Sequence, residues 1–252
     1  MKKISLSIFI FYIFFFLLSF KAIASNCEFQ MADMNWPSAT LMANVDKFIL
    51  EEGYDCKIEL VPGATTATFI TMNEKGKPHV APELWTNAIA GLLHKALEEG
   101  RLFSAIKGPI TELGEGWWIT PHTLKNYPEF KSVLDILERP DLFPAKEDKS
   151  KGAFIGCPAG WGCQLASINL FRAHDMEAKG WKLLDPGSAA GLDADIVRAG
   201  EQGEPWFGYY WSPTTIIGKY DLKKVDLGPF AGNDNWDGCI ALAADLCADP
   251  QI

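Results

Sequence analysis

The chain is short of positive charge: 23 Lys and Arg stand against 32 Asp and Glu, for a formal net charge of −9 and a pI near 5.0. With no basic stripe to neutralise phosphates, nucleic-acid binding is excluded. Histidine is scarce too, and the four present (His79, His94, His122 and His174) are scattered. No Gly-x-Ser-x-Gly elbow, Walker loop or Cys-x-x-Cys pair occurs, which removes the usual signatures of serine hydrolases, P-loop NTPases, zinc sites and thioredoxin-like redox centres. His174-Asp175 falls on a helical pattern, where it reads as a solvated face and not as part of a triad. No internal repeat is visible. Only one apolar run approaches spanning length, Ile4 to Phe20, and none follows it.

That run follows Met1-Lys2-Lys3 and ends in Ala22-Ile23-Ala24, the layout of a secretory signal peptide. Residues 1–24 are therefore expected to be removed and the mature, exported chain to begin near Ser25. A retained membrane anchor is the alternative, and Cys27 lies too far past the cleavage site for a lipid anchor. The remaining length suits one large domain or two smaller lobes. Six cysteines in an exported chain point to disulfides. Spacing suggests Cys157 with Cys163 and Cys239 with Cys247, leaving Cys27 with Cys56, although six cysteines allow fifteen pairings.

Short apolar strands alternate with helical patterns, an α/β arrangement with parallel pairing. Cys27 to Met31, Lys57 to Val61 and His79 to Trp85 read as strands; Ala39 to Glu52, with Leu41, Met42, Val45, Phe48 and Ile49 on one face and Gly53 as its stop, and Asn87 to Glu99 read as helices. The pattern changes near Gly108-Pro109, a candidate crossing into a second lobe, and Ser212-Pro213 to Gly218 is the candidate return. Residues 25–110 with 219–252 are thus expected to form one lobe and residues 111–218 the other. Within the second, Cys157-Pro158-Ala159-Gly160-Trp161-Gly162-Cys163 is a strand-to-helix turn whose backbone N–H groups suit an anion, while the indole face of Trp161 suits a cation.

Nine tryptophans are the least typical feature of the composition. Trp36, Trp85, Trp117 with Trp118, Trp161, Trp206 and Trp211 sit at element ends, where ligands bind in open α/β sheets. Aromatic faces converging from two lobes attract a trimethylated nitrogen, a cation with too few hydrogens for salt-bridge recognition. The competing reading of each tryptophan is ordinary core packing. It fits Trp181 best, and Trp236 reads as packing for the end region; Trp85, Trp161 and Trp211 escape it best because each adjoins Gly, Pro, Asn, Ser or Thr. Glu83 and Glu115, each within two residues of a candidate tryptophan, are either exposed carboxylates or charges that help neutralise a cation.

Pro82-Glu83-Leu84-Trp85, the Cys157–Cys163 loop and Phe207-Gly208-Tyr209-Tyr210-Trp211-Ser212-Pro213 resemble the periplasmic glycine betaine/proline betaine substrate-binding proteins of ABC importers, in their glycine betaine, choline and trimethylamine N-oxide group. The resemblance extends from about Cys27 to the end. It implies a type II-like, two-lobed α/β fold with the ligand cleft between lobes, a membrane permease as partner, and no cofactor, metal or catalysis. By motif, Trp85, Trp161 and Trp211 are similar to the family's aromatic box, and Gly162 and Cys163 to backbone donors for a ligand carboxylate; Trp36 and Trp117 are further candidates. Some betaine binders carry a histidine shortly after the first box tryptophan, where this chain has Thr86-Asn87-Ala88-Ile89, which brings choline and trimethylamine N-oxide forward beside glycine betaine. Family members usually continue past Pro250-Gln251-Ile252, so a C-terminally truncated chain is expected. A secreted enzyme acting on a small methylated amine and a ligand-free sensor module are the readings from other classes.

Overall fold

The computed structural model of the protein describes residues 27–105 and 113–251. The signal-peptide reading and the crossing at Gly108-Pro109 both fall outside these residues. Two α/β units are built from the alternation. In the first, β1 (Glu28–Met34) and β2 (Lys57–Gly63) run parallel, in register from Glu28 with Lys57 to Met34 with Gly63. The Cys27–Cys56 disulfide ties their starts together. Between them α1 (Pro37–Tyr54) opens with Pro37 in its first turn, where a missing N–H is harmless, and ends at Asp55 in the left-handed conformation. Gly53 is therefore not its stop.

The buried side of α1 also differs from the expected one. Ala39 and Ala43 face the sheet, whereas Leu41, Val45, Phe48 and Ile49 are 65%, 46%, 66% and 49% exposed. Small side chains let the helix approach the strands closely, and the larger apolar stripe is turned away from a sheet only two strands wide. The third strand expected at His79 to Trp85 is reduced to one bridge between Met31 and Val80. Pro78 and Pro82 lack the N–H groups a longer ladder would use. Helices α2 (Thr65–Lys75) and α3 (Ala90–Glu98) complete this unit.

The second unit has five strands: β3 (Gly114–Ile119), β4 (Gly152–Ile155), β5 (Trp181–Leu184), β6 (Phe207–Ser212) and β7 (Lys223–Lys224), in the order β5-β4-β6-β3-β7. β4 is parallel to β5 and β6, and β3 is antiparallel to β6 and β7. Its helices are α4 (Pro121–Asn126), α5 (Val133–Leu137), α6 (Cys163–Ala173), α7 (Ala189–Gln202) and α8 (Thr215–Tyr220). On one face Trp117, Ile119, Phe154, Trp181 and Phe207 pack with Val133, Ile136 and Leu137 of α5 and Phe171 of α6. On the other, Trp118 and Tyr210 pack in one cluster with Leu192, Ile196 and Ala199 of α7. Among the described residues no helix is long and apolar enough to cross a membrane.

The described part of residues 219–252 touches both units: Trp236 Nε1 donates to the Asn87 carbonyl of the first at 2.7 Å, and other contacts reach the second. β7 joins β3 there. The fully buried Asn169 of α6 donates to the carbonyls of Cys239, Ile240 and Leu242 at 2.9–3.1 Å, and Arg172 donates to those of Ala244 and Cys247. This loop, closed by Cys239–Cys247, has no ladder of its own, and side chains of α6 satisfy its carbonyls. The disulfide pairing suggested by spacing is the one present.

At the end of α6, His174 is 4% exposed, lies 5.4 Å from Trp117, and has no hydrogen-bond partner at either ring nitrogen. Burial first, and the positive charge of Lys179 second, lower its pKa from 6.5 to about 4. A depressed folded pKa contributes stability that is fully present above pH 6.5 and is lost as pH falls towards 4. The melting temperature should therefore drop across that window, and His174→Phe should flatten the drop. An unchanged pH profile in the variant, followed by circular dichroism, would contradict this assignment.

Candidate functional site

The two units meet at the cysteine loop. From the end of β4 the chain turns through Cys157 to Gly162 into α6, and the Cys157–Cys163 disulfide closes the turn. Gly160, at φ +85, supplies the left-handed step, and its N–H donates to Gln164 Oε1 at 3.1 Å. The loop thereby sends the Trp161 indole across to the first unit. There Trp161 Nε1 donates to Asn35 Oδ1 at 2.7 Å, in the turn between β1 and α1.

Trp161 lies between two further indoles in edge-to-face contact, Trp36 at 5.2 Å and 69° and Trp211 at 5.2 Å and 76°. Trp36 is the N-cap of α1, and Trp211 sits near the end of β6. Side chains alternate along a strand, so Tyr209 shares the face of Trp211 and stacks on it at 6.5 Å. β3 places Glu115 opposite Trp211. Its carboxylate accepts from Tyr209 Oη and from Asn87 Nδ2, each at 2.9 Å. Burial, reinforced by the Glu115 charge, pushes the Tyr209 phenol well above its usual 10, so it remains a neutral donor.

Trp85 completes the ring of aromatics. Its Nε1 donates to Glu83 Oε1 at 2.8 Å, and the same oxygen accepts from Trp36 Nε1 at 2.6 Å and Ser38 Oγ at 2.9 Å. Together Trp36, Thr65, Trp85, Ala88, Glu115, Trp161, Gly162, Cys163, Tyr209 and Trp211 line one chamber. About 20 Å³ is left between them, close to the requirement of a single water. The units approach closely at Gly162, where a Cβ would lie 2.7 Å from Ala88 Cβ and 3.3 Å from Thr65 Cγ2.

Six of the seven residues expected at the site, Trp36, Trp85, Trp161, Gly162, Cys163 and Trp211, come together here. Trp117 does not. It shares the strand face of Glu115 but sits two positions further into the sheet, where Phe154 at 4.5 Å and Phe207 at 5.7 Å surround it. It is 1% exposed and borders a neighbouring cavity of about 380 Å³, not the chamber. Trp118 points to the opposite face and donates to the Tyr210 carbonyl at 2.9 Å. Trp181 is core, with Nε1 bonded to the Leu137 carbonyl, and Trp236 packs on Phe230 in the end region.

Sequence reasoning passed over Tyr209, Thr65, Ala88 and Asn35. Two-residue alternation back from Trp211 would have found Tyr209. The other three carry no chemical signal, and only the approach of the two units brings them in. Among the described residues no cluster of His, Cys, Asp or Glu is arranged to hold a metal ion.

Two α/β units meeting at an aromatic chamber define the class of two-lobed periplasmic binding proteins. Within that class the chain belongs to the family of substrate-binding domains of ABC-type glycine betaine transport systems (OpuAC), whose model matches residues 28–251. No curated protein matches the chain significantly. Among solved structures it is similar to an ABC-transporter choline-binding protein in complex with choline, with TM-score 0.64, 15% identity, and 85% of this chain and 70% of that one covered. Lactococcal OpuAC, closed and complexed with glycine betaine, gives 0.57, 20%, 80% and 70%. An unliganded, semi-closed choline-binding protein gives 0.59, 15%, 82% and 66%. At these identities the likeness is one of fold, and the chain spans only 66% to 70% of those chains' lengths.

Proposed function

We propose that this protein is the extracytoplasmic receptor of an ABC importer, exported by residues 1–24, and that it captures a small quaternary or methylated amine in the chamber and hands it to a membrane permease. Glycine betaine is the first ligand to test, followed by trimethylamine N-oxide and choline. The observation that carries the reading is the convergence of four indoles and one phenol from both units, with the Glu115 carboxylate, in the lining of one chamber. Each desolvated aromatic face contributes about 0.5–2 kcal/mol towards a quaternary ammonium. Three or four such faces, with Glu115, supply much of the ~8 kcal/mol that micromolar affinity needs, before ordering costs are deducted.

Capture is a closure. With about 20 Å³ between the walls, a trimethylated head enters only when Trp36 and Trp85 part from Trp161 and Trp211. Return of the Trp161–Asn35 bond and of the Gly162 contact then excludes water and produces the shape a permease can read. Backbone N–H groups at the start of α6 are the candidates to meet a ligand carboxylate or N-oxide, and Glu115 the candidate counter-charge.

A thermal-shift panel of glycine betaine, trimethylamine N-oxide, choline and unmethylated glycine tests this reading. At least one methylated member should raise the transition in proportion to the logarithm of its concentration, and glycine should not. No shift with any methylated amine, or an equal shift with glycine, would contradict it. For the ligand found, Glu115→Gln keeps the Tyr209 bond but removes the charge, and calorimetry should read about three- to tenfold weaker binding of a net cation. Unchanged affinity would remove Glu115 from the recognition.

A further inference from the structure

Glu83 does not line the chamber, yet it is the point on which two of its walls converge. One carboxylate oxygen accepts three hydrogen bonds, from Trp36 Nε1 at 2.6 Å, Trp85 Nε1 at 2.8 Å and Ser38 Oγ at 2.9 Å. Three donors on a single oxygen is the geometry of an acceptor-only, ionised carboxylate. The two indoles come from different segments, the turn into α1 and the loop that follows Pro82, so the oxygen fixes their relative orientation. Glu83 itself is half-buried at the ring edges.

We infer that Glu83 is a positioning and polarising residue: by accepting from both indole N–H groups with a full negative charge, it makes the Trp36 and Trp85 faces more negative and so raises the chamber's preference for a cation over a neutral group of the same shape. An indole N–H held by an anion shifts electron density into its ring, and the attraction of a cation to an aromatic face depends on that density. In a chamber largely closed to water the effect is weakly screened. Charge outside the chamber is thus transmitted through two rings, with no contact between carboxylate and ligand. This rests on the proposed methylated-amine function and adds the residue that sets its charge selectivity.

The test compares choline with its neutral tert-butyl isostere, in which carbon replaces nitrogen, on the wild-type chain and on Glu83→Gln. Glutamine keeps an acceptor oxygen for the indoles and removes the charge. Choline affinity should fall about three- to tenfold while that of the isostere stays within about twofold. The indole N–H proton resonances of Trp36 and Trp85 should also move upfield in the variant, as their acceptor weakens. Equal loss for both ligands would show a merely structural residue, and no loss for either would show an inert one; each outcome overturns the inference. If the wild-type chain binds neither choline nor any other methylated amine, the proposed function fails instead, while the resonance shifts still report whether Glu83 polarises the two indoles.

Discussion

Replacing Gly162 by valine should abolish most ligand affinity while leaving the fold in place. Gly162 occupies φ −60 and ψ −38, a helical conformation open to any L-residue, so the backbone does not resist substitution. What resists is space between the units. The first added carbon would lie 2.7 Å from Ala88 Cβ and 3.3 Å from Thr65 Cγ2, both on short side chains with no flexible end to swing aside. Valine adds two methyl groups beyond that carbon. Overpacking of this kind costs about 1–3 kcal/mol, and it falls on the closed state alone. Binding should weaken more than tenfold for valine and about three- to tenfold for alanine, by calorimetry. The ligand-induced decrease in radius of gyration should disappear in the valine variant. Wild-type affinity in Gly162→Val would mean that the units do not close at this contact.

Trp161→Ala is the second large effect. The indole makes edge-to-face contacts with Trp36 and Trp211 and carries the 2.7 Å bond to Asn35. Its loss removes one aromatic face, about 0.5–2 kcal/mol, and one hydrogen bond between the units, about 0.5–1.5 kcal/mol. Since 1.4 kcal/mol is tenfold, the sum of about 1–3.5 kcal/mol should weaken binding by about fivefold to a few hundredfold. Trp161 packs in the core cluster on one face of the sheet, while that of Trp117, Phe154, Trp181 and Phe207 on the other does not involve it, so unfolding should remain a single transition at a lower temperature. Unchanged affinity in a folded variant would remove the aromatic box from the account.

The candidate site was largely legible in the sequence because it is built from conspicuous residues. Trp85, Trp161 and Trp211 stand beside turn-forming residues at the ends of elements, and two cysteines six apart mark the loop that presents the central indole. Trp117 shows the limit of that reasoning. Alternation assigns it to the same face as Glu115, but only the depth of the flanking helices decides that one position meets the chamber and another the core. The fold was legible where periodicity is strong, as in α7 and the parallel strands. It was misread in α1, where the prominent stripe of Leu41, Val45, Phe48 and Ile49 faces out and two inconspicuous alanines face in. The contacts of the end region are illegible for a related reason: a loop held by Asn169 and Arg172 through carbonyls has no hydrophobic period to betray its partner.

The most direct measurement is a crystal structure of the chain grown with the tightest methylated amine from the thermal-shift panel. The account predicts the quaternary nitrogen inside the chamber, within about 6 Å of the ring centroids of Trp85, Trp161 and Trp211, with the Trp161–Asn35 bond intact. A nitrogen found elsewhere, for instance in the cavity of about 880 Å³ lined by Lys146, Lys182, Arg198 and Trp206, would contradict it.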